Sequence, residues 1–91
     1  MYFTYVLLCS ITSSGRQEFY TGVTEEIPNR LESHHSHSVK TTKKFDKIQL
    51  VYYEACISKK DAYARERQLK TGFGRGYLKK RINYFLENVR E

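Results

Sequence analysis

Four groupings of side chains in the sequence have the types and spacing to do chemistry. In KKDAYARERQLK, residues 59–70, Ala62, Glu66 and Leu69 recur at i, i+4, i+7, which sets a carboxylate on the apolar stripe of a helix. A buried carboxylate is costly unless it is paired or holds a cation. Two readings of Glu66 therefore stay open: an ion pair with Arg30 or another arginine, or a metal ligand. Arg30 and His34 form the second grouping. They lie at i, i+4 and share a helix face, and the planar, permanently charged guanidinium suits phosphate. A lone helix arginine is more often solvated, and a lone helix histidine more often structural. The third is EFYTGVT, residues 18–24, where Tyr20 and Gly22 end a short strand. Read alone, Tyr20 is core filler and Gly22 a turn residue. The fourth is HHSH, and the spacing of His34, His35 and His37 suits one helix face, and so a zinc site, poorly.

Charge says which partner these groups would meet. The chain of 91 residues carries a formal net charge of +6, a balance that points to a polyanion, most commonly nucleic acid. Residues 59–91 hold 10 Lys or Arg against 4 acids, and Lys40, Lys43, Lys44 and Lys47 crowd KTTKKFDK. Lys40, Lys43, Lys44, Lys70, Arg75 and Lys79 are the candidate phosphate contacts, which would make binding fall with salt. The plainer reading is a solvated face. TGFGRG, residues 71–76, would either present backbone N–H groups to phosphate or simply turn the chain between helices.

The elements that must hold these groups follow from pattern. YFTYVLLCS and EFYTGV are β-rich segments joined by a polar connector, ITSSGRQ, and make a hairpin. Thr24 is expected to N-cap a helix with Glu25 and Glu26 in its first turn and Pro28 late in that turn. IQLVYYEACI reads as the third strand, with Tyr52 and Tyr53 on opposite faces. Ser58 is expected to cap the next helix, and TGFGRG to break it. YLKKRINYFLENVR is the last helix, striped by Leu78, Ile82, Phe85, Leu86 and Val89. The expectation is an α+β domain of order β-β-α-β-α-α: a three-stranded antiparallel sheet flanked by three helices, spanning residues 1–91 as one unit. Cys9 and Cys56 sit in apolar runs without metal-type spacing and read as reduced thiols. The opening apolar run lacks a basic flank and a small-residue cleavage site, and falls short of the ~20 residues a span requires, so no membrane role is expected and the location expected is cytoplasmic.

FTYVLLCS, then YTG, then Arg30 ten residues after Tyr20, then Glu66 in ARERQLK, together resemble the GIY-YIG nuclease superfamily, in its small standalone, single-domain branch. The resemblance runs from about residue 3 to residue 85. It implies that Tyr5 is the tyrosine of the first motif, that Tyr20, Thr21 and Gly22 are the second, that Arg30 and His34 are the helix pair, and that Glu66 binds the metal. It implies a small antiparallel sheet flanked by helices and no separate DNA-recognition domain. Phe3 and Thr4 stand where the first motif has Gly and Ile, and Thr21 replaces the isoleucine of the second. Val23 stands where repair-type members carry a lysine near the tyrosine. Leu78 falls near the place of the family's late asparagine, with Asn83 some residues away.

The activity implied is Mg²⁺-dependent hydrolysis of phosphodiester bonds in DNA, with Mn²⁺ as the alternative ion, little sequence specificity, and a place in DNA repair or recombination. Glu66 would hold the ion, Arg30 would offset charge on the phosphorane, and Tyr5 or Tyr20 would orient or deprotonate water. An unperturbed tyrosine titrates near pH ~10, so a base would need a cation to activate it. His34 would relay the proton or bind phosphate, and Gly22 would leave room for a phosphate beside the tyrosine. The alternatives are a non-catalytic basic module that clamps DNA or RNA on the same fold, and a protein-interaction subunit.

Overall fold

β-branched and aromatic residues alternate sides along the first segment, and this alternation organises the molecule. The structure, a computed structural model, describes residues 1–90, and side chains as far as residue 88. Val89, expected on the last helix's stripe, has its side chain outside the described residues. Strands β1 (Tyr2–Ile11), β2 (Arg16–Thr24) and β3 (Lys47–Cys56) form one antiparallel sheet of order β2-β1-β3. Helices α1 (Ile27–His35), α2 (Lys59–Leu69), α3 (Gly72–Arg81) and α4 (Asn83–Arg90) complete the chain. The fold is α+β with a three-stranded antiparallel sheet, as the pattern predicts.

Both faces of β1 are buried. Tyr5, Leu7 and Cys9 pack with Phe45 and Ile48, against Tyr20, Leu31 and Leu50. Val6 packs on the other face with Leu69 and Leu78, against Phe19, Val51, Tyr52 and Tyr77. Each fully buried aliphatic side chain contributes roughly 1.5–3 kcal/mol, so the few in this small core carry much of its stability. A register shift between Val6 and Leu7 lets consecutive Val51 and Tyr52 share the second face. Tyr53 then turns to the other side and is 55% exposed, so the two tyrosines do part as expected.

Five local readings change. β2 runs through Thr24, and α1 begins at Ile27 with Glu26 as N-cap. Thr24 Oγ1 accepts instead from the Glu26 N–H at 3.1 Å, a turn closure rather than a cap. Pro28, with its fixed φ, sits at the very start of the helix and sets its first turn. The hairpin connector shrinks to residues 12–15, because Ile11 and Ser10 still pair with Arg16 and Gln17. TGFGRG does not simply break the chain. Thr71 caps α3, its side chain accepting from Gly74 N–H at 3.2 Å, and the glycines form the first turns. Gly74 is buried against the end of α2, where a Cβ would collide with the Gln68 carbonyl and Leu69 Cα. Close packing there overrides the poor helix propensity of glycine. The last helix divides at Ile82, which leaves helical geometry (φ −117°, ψ 29°) while its side chain stays buried. Among the described residues the helices are therefore four, not three.

On the second face, α2, α3 and β3 meet in a polar clamp. Arg65 Nε donates to Glu54 Oε2 at 2.8 Å, and its guanidinium lies 4.5 Å from the Tyr77 ring centre. Arg81 Nε donates to the Tyr77 hydroxyl at 2.9 Å, and the hydroxyls of Tyr52 and Tyr77 are 3.3 Å apart. Nearer the helix start, Thr4 Oγ1 donates to the Ala62 carbonyl at 2.8 Å and pins α2 to β1.

Candidate active site

The site is built on the first face. Tyr5 pairs across the strands with Gly22, and the glycine is required for space: a Cβ there would lie 2.5 Å from the Tyr5 hydroxyl oxygen. The room that a Cβ would take at Gly22 is thus filled by the Tyr5 ring. The ring is 3% exposed and runs under α1. Arg30 Nε donates to the Tyr5 hydroxyl at 3.1 Å, and that hydroxyl is also 3.0 Å from His34 Nε2. Tyr20, directly opposite Leu7, stacks edge-on with His34 at 5.0 Å between ring centres and lies 6.3 Å from the Tyr5 ring. Spacing at i, i+4 on α1 brings Arg30 and His34 to the same two tyrosines.

Burial sets the electrostatics. Loss of water around Tyr5 pushes its phenol up to about 12, against the opposing pull of Arg30. Burial, with the positive charge of Arg30 and then His35, drives His34 down to about 4. His34 is fully enclosed and is neutral at pH 7. Its second nitrogen, Nδ1, is 2.7 Å from Thr42 Oγ1, and Thr42 is also fully enclosed. Sequence reasoning passed over Thr42. A signal was present: Val39, Thr42 and Phe45 recur every third residue and are the buried positions of the lysine-rich loop, with Thr42 N–H donating to the Val39 carbonyl and Phe45 N–H to that of Thr42.

The three histidines do not gather. His35 Nε2 bonds the Ile48 carbonyl at 2.9 Å and His37 Nε2 that of Phe45 at 3.2 Å. Among the described residues, no group of three or more His, Cys, Asp and Glu side chains comes together. Cys9 and Cys56 are free thiols.

Glu66 stands outside the tyrosine network. Its helix covers the second face, and its carboxylate pairs with Lys70 at 3.7 Å, not with Arg30. Its side chain is 18% exposed and that of Lys70 55%, so the pair is long and opens readily to solvent. The two halves approach along the free edge of β2. A cleft of about 340 Å³ there is lined by Tyr20, Thr21 and Thr41 together with Lys70 and Arg75. Lys44 lines the adjoining hollow with Tyr20 and Thr42, 4.0 Å from Glu18. Lys40, Lys43 and Lys79 point to solvent.

No helix among the described residues is long and apolar enough to cross a membrane. No curated protein and no solved structure matches the chain. A family model does: the GIY-YIG catalytic domain matches residues 1–83. That family is one of endonucleases, with nucleic acid as its substrate class. The two tyrosines, the arginine and the histidine assigned from its motifs are the residues joined on the first face. With its sheet and most of its length in agreement, the chain belongs to the GIY-YIG catalytic domain family.

Proposed function

We propose that the chain is a Mg²⁺-dependent endonuclease that hydrolyses phosphodiester bonds in DNA with little sequence specificity, acting in DNA repair or recombination in the cytoplasm. The observation that carries this reading is the double position of Tyr20: it belongs to the Tyr5–Arg30–His34 network and also lines the cleft with Lys70 and Arg75.

Lys70 and Arg75 would hold the substrate phosphates electrostatically, with Lys40, Lys43, Lys44 and Lys79 guiding the strand. Arg30, free of any carboxylate ion pair among the described residues, would offset the charge that develops on the phosphorane. Tyr5 is a poor base, since burial holds its proton tightly. Tyr20 therefore takes the role at the water, orienting it for attack on phosphorus while the bond to the leaving oxygen breaks. Glu66 suits Mg²⁺ as a single carboxylate with a loosely held counter-ion, because Mg²⁺ takes few protein ligands and keeps its waters. When bound, the ion supplies Lewis-acid stabilisation to the phosphate and the leaving oxygen.

The test is incubation of the purified protein with plasmid, single-stranded and branched DNA in Mg²⁺. Tyr20→Phe and Glu66→Ala are expected to lose nicking with the fold intact. Unchanged cutting by Glu66→Ala would sink the mechanism. The Glu66–Lys70 pair favours a second reading, a non-catalytic module that binds DNA or RNA. It expects salt-dependent binding without product in Mg²⁺ or Mn²⁺, indifferent to Glu66→Ala.

A further inference from the structure

We propose that Thr42 is a positioning residue that fixes His34 as its Nδ1–H tautomer, so that His34 Nε2 receives the Tyr5 hydroxyl proton and Tyr5 in turn holds Arg30. The inference depends on the proposed reaction only for its consequence on rate.

The argument is one of donors and acceptors. Arg30 Nε can only donate, and it donates to the Tyr5 hydroxyl oxygen at 3.1 Å. Tyr5 is 3% exposed, so its hydroxyl proton requires an acceptor inside the protein. His34 Nε2, 3.0 Å away, is the nitrogen in reach. A neutral imidazole that accepts at Nε2 carries its proton at Nδ1, and Nδ1 faces Thr42 Oγ1 at 2.7 Å. The protons then run in one direction, from Arg30 to Tyr5, from Tyr5 to His34, and from His34 to Thr42. Every member of the chain is enclosed or half-buried, so water does not replace a lost link easily. Thr42 is the terminus of this chain and comes from the loop between α1 and β3, not from the sheet or the helix that carry the other members. The turn that buries it is fixed by Val39 and Phe45. The lysine-rich loop thus has an inward function besides any contact with nucleic acid: it sets the proton arrangement under Arg30.

The opposite tautomer has a distinct cost. With Nε2–H donating, the Tyr5 oxygen would face two donors, and its own proton would lose the His34 acceptor. Leaving a buried hydroxyl proton unpaired costs roughly 1–3 kcal/mol, and the Thr42 oxygen adds to that preference by accepting from Nδ1–H.

Long-range ¹H–¹⁵N correlation spectra of the ¹⁵N-histidine-labelled protein at pH 7 read the tautomer of His34 directly, with no need of activity. The expected result is the Nδ1–H pattern in the parent and in Thr42→Ser, and a shifted or mixed pattern in Thr42→Val, which keeps the shape and loses the hydroxyl. In cleavage assays Thr42→Val is expected to lower kcat about tenfold with KM held within about twofold, and Thr42→Ser to restore it. An Nε2–H pattern in the parent overturns the inference, as does a Thr42→Val spectrum identical to the parent. A parent that shows the Nδ1–H pattern but cuts nothing defeats the nuclease reading and leaves this one standing.

Discussion

The sheet carries a tyrosine–arginine cluster on each face, and the two are built to opposite ends. On one face Arg30 bonds a buried tyrosine that a histidine also holds. On the other, Arg65 and Arg81 flank Tyr77, and Glu54 neutralises Arg65 at 2.8 Å. The phenols respond in opposite directions. Burial pushes Tyr5 up to about 12. The hydrogen bonds from Tyr52 and then Arg81 pull Tyr77 below the ordinary tyrosine range. The carboxylate makes the difference in purpose. An arginine already paired with Glu54 ties α2 to β3 and has little charge left for a ligand. An arginine bonded only to a neutral phenol keeps its full charge. Residue types alone do not separate a structural cluster from a chemical one, but their counter-ions do.

The sharpest way to break this contrast is to remove one arginine from each side. Arg30→Ala is expected to cut the cleavage rate roughly 10²–10³-fold, the usual effect of losing a group that offsets transition-state charge. Arg65→Ala is expected to change it less than about threefold while lowering the melting temperature, because it leaves Glu54 without its partner. Equal losses of rate from the two would erase the distinction.

A second test uses pH. His34 titrates near 4 in the fold and near 6.5 when unfolded, so the unfolded chain binds the extra proton between those values. Stability is therefore full above pH ~6.5 and falls as pH drops toward 4, by about 2–3 kcal/mol for this residue. Urea unfolding at several pH values measures the slope, and His34→Gln is expected to flatten it. The second cluster has no histidine, so Arg65→Gln should leave the slope as it was.

The smallest effect tests the packing of Tyr5. Gly22→Ala places a Cβ against the Tyr5 hydroxyl and ring, and is expected to cost about 1–2 kcal/mol by denaturant melting. Tyr5 must shift, and cleavage should weaken with it. Gly76→Ala, where a Cβ meets open space, should cost nothing measurable and provides the control.

Much of this was legible in the sequence because it rests on local pattern. Strands rich in Val, Leu and Tyr declared themselves, and the i, i+4 spacing put Arg30 and His34 on one face. What failed depended on distant contact. Three glycines announce a break, yet Gly74 lies in a helix because α2 abuts it. Thr24 has the chemistry of a cap, but pairing with Phe3 keeps it in the strand. The partner of Glu66 could not be read, since Lys70 and Arg30 are equally plausible until the helix is seen to lie on the second face. The every-third spacing of Val39, Thr42 and Phe45 marks Thr42 as buried, but does not show that it meets a histidine eight residues earlier.

β1 supplies Tyr5 to one cluster's face and Val6 to the other's, and it does so by parity alone. A single inserted or deleted codon between Tyr5 and Cys9 would exchange the two environments at a stroke, turning aliphatic side chains toward Arg30 and polar ones toward α2. The hairpin tip at 12–15 carries no such constraint, because both strands are already paired before it. A change in the length of the tip leaves the faces of β1 as they are, whereas a shift within β1 exchanges them.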